Sequence, residues 1–369
     1  MKEKLSRNKT MIKRLLKINY EALDIKPTDA TKCTKKQLYS HLVSWAILAP
    51  SSHNTQPWKF IIKPKKNIID ICLDKSQILP NSDKHERQAF ISIGCAAENL
   101  ILAARYYGVA PSVKYIGEKY PLPTIRIHLN EEEATPPKEK TKSNIFLGAM
   151  KTRMMNRSKY DALRPIPSIL LKQFKETASS FGAKLDLVSD IKMRSAIAEL
   201  QYTADKSAVA DGDFRKELGA FLLPNNTPNG RSMPGNTFGL SEKMTVKLSS
   251  ALQEEGSFDP DLAYGFAASE RDGIRSSPLV CILSVAKDKA EWWLKTGRAL
   301  EKMALLAEIQ KVNIAVHAAL IEKEMFTDLL KLRLQGTQRP AALFRVGYAT
   351  EKRPHSPRIP AARVIEYEN

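Results

Sequence analysis

Residues 91–109 read ISIGCAAENLILAARYYGV, and residues 294–312 read LKTGRALEKMALLAEIQKV. At a constant offset of 203 positions they share Gly94/Gly297, Ala96/Ala299, Glu98/Glu301, Leu102/Leu305, Ala104/Ala307 and Val109/Val312. Both carry the apolar spacing of an amphipathic helix. An extended apolar run precedes each helix (68–73 and 279–285), and another closes each half (124–129 and 341–348). Two Ala/Leu-rich helices can agree through composition alone. The shared strand–helix–strand context argues instead for an internal duplication. Such a chain folds as a covalent pseudo-dimer, and a site at its seam draws residues from both halves.

Composition bounds the rest. With 369 residues the chain is long enough for two cores. Hydrophobic residues at 43% exclude disorder along the whole chain, and 16 Gly with 21 Pro exclude a collagen-like sequence. No run approaches the ~18 apolar residues of a spanning helix. The basic N-terminus lacks the apolar core of a signal peptide, so no secretory signal is expected. Cys33, Cys72, Cys95 and Cys281 form no C-x-x-C pair and no metal-binding spacing. Their apolar neighbours suggest reduced, buried thiols and a cytoplasmic protein. The net charge of +18 invites a nucleic-acid reading. The basic residues are spread along the chain, however, and no nucleic-acid-binding motif occurs, so that reading ranks low.

Outward from the two helices, residues 1–34 form a basic arm. The first half covers 35–130. A helix at 35–49 stops at Pro50-Ser51-Ser52, strands at 58–62 and 68–73 flank a hairpin turn at 63–67, and a long helix covers 83–107. Strands follow at 112–117 and 124–129. Residues 131–144, opening EEEATPPKEKTKS, read as a linker. The second half, 145–369, is expected to hold helices at 167–180, 190–209, 240–254 and 288–311. Its strands are expected at 184–188, 277–285 and 341–348. Residues 221–239, FLLPNNTPNGRSMPGNTFG, read as a long loop.

Three clusters can carry chemistry. Ala49-Pro50-Ser51-Ser52-His53-Asn54-Thr55-Gln56-Pro57-Trp58 packs hydroxyl, imidazole and amide groups between a helix and a strand. Such a turn can present polar groups to a flat heterocycle, or it can be a helix cap with a polar turn. Arg153-Met154-Met155-Asn156-Arg157-Ser158 places two arginines four apart. They suit a phosphate or an electron-rich ring edge, or they form a solvated basic turn. Lys352-Arg353-Pro354-His355-Ser356-Pro357-Arg358 is a basic loop after a strand and a weaker anion site.

Together these segments resemble the nitroreductase superfamily, the FMN-dependent NAD(P)H oxidoreductases. APSSHNTQPWKF resembles its signature turn, RMMNRSKY its N-terminal arginine element, and RPAALFRVGYATEKRPHSPRIPAARVI its C-terminal ending. The order of the elements, the length and the duplication resemble the Acg-type subgroup, in which two nitroreductase-like halves are fused. The resemblance covers residues 35–366. It implies an α+β fold, an internally duplicated pseudo-dimer with mostly antiparallel central sheets flanked by helices. It also implies a monomer, because the two halves supply what a homodimer otherwise supplies.

What the resemblance implies for the site is specific. Arg153 and Arg358 would hold the FMN phosphate, and Arg157 would sit near the N1/C2 edge of the ring. Ser51, Ser52, Asn54 and Gln56 would reach across from the first half. His317, in the stretch 315–320, would lie near N5, although a lone histidine beside an apolar run is also an ordinary packed residue. No side chain need be a catalytic acid or base, since the flavin carries the chemistry between NAD(P)H and a nitro- or quinone-like small molecule. No metal is expected. Met155 stands where the family carries Ser or Thr. The first half has no arginine element before residue 35, and the second has no counterpart of SSHNTQPW, so one FMN per chain follows. The loop at 221–239 would be a lid, and a closed lid would make a flavin-sequestering protein with little turnover.

Overall fold

The computed structural model describes residues 17, 19–117, 125–134, 137–253 and 260–368. The first half runs helix α1 (Lys35–Ala46), strands β1 (Trp58–Lys63) and β2 (Ile68–Leu73), helix α2 (Arg87–Tyr106), then β3 (Val109–Tyr115) and β4 (Ile125–Ala134). Thr34 opens α1 with a capping box. Its side chain accepts from the Gln37 N–H, while Gln37 accepts from the Thr34 N–H. Helix α3 (Pro137–Thr152) then crosses the seam, packing on helices of both halves.

In the second half come α4 (Ser168–Ser180), β5 (Lys184–Val188), α5 (Ile191–Ala210), α6 (Gly212–Phe221), β6 (Leu222–Leu223), β7 (Met233–Pro234), α7 (Glu242–Gln253) and α8 (Pro260–Arg275). They are followed by β8 (Leu279–Val285), α9 (Ala290–Ile309), β9 (Asn313–His317), α10 (Ala319–Glu322), α11 (Glu324–Arg333), β10 (Arg339–Gly347) and β11 (Ile365–Tyr367).

The duplication is visible in the topology. One sheet has the order β11-β1-β2-β4-β3 and the other β5-β8-β10-β9. Apart from β11, the two orders correspond strand for strand, and every pairing between those strands is antiparallel. The long helix follows the second strand in each copy. Between the first two strands the copies diverge. In the first half a 3-10 turn, Pro64–Lys66, closes the hairpin, with Asn67 at φ +53°. In the second half the same connection runs from β5 to β8 and contains α5 through α8. Its inner helices have a small core of their own, Leu218, Leu222, Leu248 and Leu252. Strand β11 leaves the second half and pairs in parallel with β1, through Phe60↔Ile365 and Ile62↔Tyr367, tying the C-terminus to the first sheet.

Sixteen of the twenty residues of α2 are buried, as expected of a helix covered on nearly every side. It crosses α9 at Gly94 and Gly297. A Cβ at either glycine would stand 3.0 Å from the other's Cα. It would also press inside contact distance of a backbone carbonyl, that of Leu294 for Gly94 and that of Ile91 for Gly297. Those two carbonyls belong to residues that are themselves equivalent under the 203-residue offset. The contact is therefore isologous, as at the axis of a symmetric dimer.

Several sequence expectations change. The segment read as a linker continues β4 to Ala134 and opens α3 at Pro137. A proline fits a first helical turn because its missing N–H has no partner there anyway. Residues 221–239 form the end of α6, the β6/β7 pair and a 3-10 turn, Gly235–Phe238, rather than an open loop. Helices α6, α8, α10 and α11 and strands β9 and β11 come from segments that had no assignment. Half of the arm at 1–34 lies outside the described residues. No described helix is long and apolar enough to cross a membrane.

The glycine crossing predicts that Gly94→Ala loses about 1–3 kcal/mol or more of stability in urea unfolding, because neither backbone can yield to a methyl group. Gly148→Ala, in α3 with no heavy atom within 4 Å of the place its methyl group would take, should instead gain up to about 1 kcal/mol. Equal effects at the two sites would refute the crossing.

Candidate functional site

A cavity of about 900 Å³ opens at the seam. Its walls come from the turn at 50–54, one face of α2, residues 153–157, the inserted helices, residues 316–326 and the C-terminal loop at 354–358. Ser51, Ser52, Asn54, Arg153, Arg157, His317 and Arg358 all line it. Gln56 does not.

The turn is strained in a specific way. His53, Asn54 and Gln56 have φ of +46°, +57° and +51°, left-handed values that non-glycine residues adopt at a cost. Buried amides hold them there. Asn54 Nδ2 donates to the Ser232 carbonyl at 2.9 Å and the Pro357 carbonyl at 3.0 Å, and Asn54 Oδ1 accepts from Arg358 Nη1 at 3.1 Å. Gln56 Nε2 donates to the Gly230 carbonyl at 2.7 Å, and Gln56 Oε1 accepts from the Ile359 N–H at 2.9 Å. Both amides thus clasp the 224–232 loop and the C-terminal loop to the first half. Arg231 Nε completes the clasp by donating to the Thr55 carbonyl at 3.0 Å. Ser51 Oγ accepts from the Gln56 N–H at 2.9 Å.

One end of the cavity is positive. Arg153 Nη2 donates to the Leu48 carbonyl at 2.6 Å, and its Nε lies 3.2 Å from Glu301 Oε1. Arg358 Nε donates to the Ile47 carbonyl at 3.0 Å and its Nη2 to the Leu48 carbonyl at 3.2 Å. These carbonyls end α1, where the helix dipole favours cations. Burial, and then Arg153, bring Arg358 down to about 9. Burial, and then Arg153 and Arg358, push His355 down to about 4. Among the described residues, two guanidiniums therefore share one carboxylate, Glu301, and the end carries net positive charge. Glu98, the equivalent of Glu301, is answered differently: Arg298 Nε reaches it at 2.9 Å from within α9 itself.

The other wall holds a charge network. Arg157 Nη1 donates to Glu270 Oε2 at 3.0 Å, and His317 Nδ1 lies 2.8 Å from the same oxygen. Burial pushes the Glu270 carboxyl up, but Arg157, His317 and Arg345 outweigh it and hold the carboxyl below its ordinary value. Burial keeps His317 low despite Glu270. Burial and then Glu270 raise Asp205, although Gln201 Nε2 donates to it at 2.9 Å. Buried polar atoms without partners among the described residues, His53 Nδ1, His317 Nε2 and Gln201 Oε1, belong to residues of the cavity wall. Among the described residues no cluster of His, Cys, Asp and Glu could hold a metal.

Sequence reading missed Gln201, Asp205 and Glu270. The first two carried a signal: they interrupt the buried stripe of α5 (Ile197, Ala198, Ala204, Ala208) at helical spacing. Glu270 lies in α8, which had no assignment.

His53 and His355 both titrate near 6.5 when unfolded and near 4 when folded. The unfolded chain therefore binds more protons between those values. Stability is full above about 6.5 and falls as pH drops towards 4. The melting temperature should fall across this window, and less so in the double variant His53→Gln, His355→Gln. Parallel profiles would contradict the assignment.

No family model matches the chain. Over 329 residues it is 23% identical to a Mycobacterium tuberculosis protein that carries the name NAD(P)H nitroreductase Acg, covering 88% of this chain and 93% of that one. An uncharacterized protein of the same organism is 23% identical over 320 residues, 85% of this chain and 87% of its own. Among solved structures, the FMN-dependent nitroreductase NfnB from Mycobacterium smegmatis in complex with NADPH aligns at 14% identity and a TM-score of 0.42. That alignment covers 62% of this chain and 100% of that one. With the sequence likeness running over 88% of the chain, the protein resembles the Acg-type subgroup of the nitroreductase superfamily.

Proposed function

We propose that the chain binds one FMN in the seam cavity and acts as an NAD(P)H oxidoreductase of nitroreductase type, reducing a nitro- or quinone-like acceptor. The observation that carries the reading is the cavity's polarity. It has excess buried positive charge at one end and unpartnered polar atoms along its walls, the complement of a phosphate joined to a flat heterocycle. When bound, FMN supplies hydride transfer through its N5. The name of the curated relative, an NAD(P)H nitroreductase, is in keeping with this.

The residues divide the work by what they have left to offer. Arg153 would hold the phosphate through Nη1, which has no protein partner among the described residues. Arg358 would contribute mainly charge, since each of its nitrogens already donates to protein. Arg157 would face the electron-rich ring edge, with Glu270 fixing its orientation. Ser51, Ser52 and His317 would offer hydroxyl and imidazole groups. Asn54 and Gln56 would act one step removed, as clasps. Across the seam, among the described residues, Glu98 is already answered by Arg298, which supports one cofactor per chain.

The reading predicts a protein whose flavin absorbance bleaches under NADH or NADPH in anaerobic stopped flow. A bound flavin that never bleaches would contradict turnover. Arg153→Ala should weaken FMN binding about tenfold or more, the loss expected for a buried charge-assisted contact.

The clasp favours a second reading in one respect. The loop's flanks, Leu222 and Met233, line the cavity, and a loop so held by buried amides would release a ligand slowly, which suits a protein that sequesters flavin. Asn54→Ala with Gln56→Ala should then raise both the FMN dissociation rate and the flavin's reactivity. If neither changes, the loop is not the barrier.

A further inference from the structure

Ten large apolar side chains stand exposed among the described residues, and five of them lie on two helices. Helix α11 presents Met325, Leu329 and Leu332, at 65%, 40% and 73% exposure, while Phe326 and Leu330 face the core. The spacing of the exposed three places a second apolar stripe on the outer face. Helix α7 presents Met244 and Val246, with Thr245 and Leu248 turned inward. Met244 and Met325 also line the seam cavity, so both patches border its mouth.

Basic residues flank these patches: Lys243 and Lys247 on α7, and Lys331 and Arg333 on α11. Glu242 on α7 and Glu324 and Asp328 on α11 are exposed as well, so the local balance is only mildly positive. The larger attraction comes from the whole chain, at +18. A second copy carries the same charge, which opposes self-association through this face. An anionic bilayer is attracted by that charge and admits short, flexible apolar side chains between its headgroups, while lysines extend to the phosphates.

We propose that the α7/α11 face docks the protein on an anionic lipid surface, with the mouth of the cavity turned towards the bilayer. The proposal does not depend on the redox reading.

Sedimentation with vesicles tests it. The 369-residue protein should pellet with phosphatidylglycerol-rich vesicles and not with pure phosphatidylcholine, and added salt should weaken the association. The triple variant Met325→Ser, Leu329→Ser, Leu332→Ser should partition about tenfold or more weakly with its melting temperature unchanged. Lys243→Glu with Lys247→Glu should lose part of the salt-sensitive binding. Absence of wild-type pelleting, or a triple variant that pellets equally well, would overturn the proposal. A wild-type dimer in gel filtration that the triple variant dissolves would overturn it too, by giving the face to a second copy.

Discussion

The architecture depends on one close approach. At Gly94 and Gly297 two helix backbones touch with no side chain between them, and each carbonyl that fixes the distance lies three residues before the other's glycine. Only residues without a Cβ allow this separation. The contact sets how far apart the two sheets lie. It also brings Glu98 and Glu301 to equivalent places along the seam, one turn beyond the glycines.

From that symmetric frame the two halves have diverged, so that they line the seam cavity with different groups. The first half keeps a tight hairpin between its first two strands and contributes the strained turn. The second half places α5 through α8 in the corresponding connection and contributes the roof and the charged wall. At Glu301 the partner is Arg153, with Arg358 close behind, and the surplus charge faces a cavity. At Glu98 the partner is Arg298, which also donates to the Tyr115 hydroxyl at 3.2 Å and lies 4.8 Å from the Phe181 ring. There the arginine is spent within the protein.

The duplication was legible because helix-to-helix identity survives where packing is tightest; Gly94, Glu98, Gly297 and Glu301 are all buried at the seam. The signature turn and both arginine segments were legible as polar clusters in constrained backbone, and the fold gathers them around one cavity. What polar residues do there was not legible. Asn54 and Gln56 look like ligand contacts, yet both bind loop carbonyls, because partners more than 170 residues away become neighbours only in the fold. Strand β11 was invisible at three residues, too short for an alternation pattern, and it exists only because β1 offers an edge. Asp205 and Gln201 show in the sequence only as polar breaks in the apolar stripe of α5, and their place in a charged wall needs Glu270, which comes from a segment without an assignment.

The central claim is one cofactor in one seam cavity per chain. Native mass spectrometry of the protein reconstituted with excess FMN tests it most directly. The account predicts a single 369-residue chain carrying one FMN. Two FMN per chain, or a chain that takes up none, would contradict it.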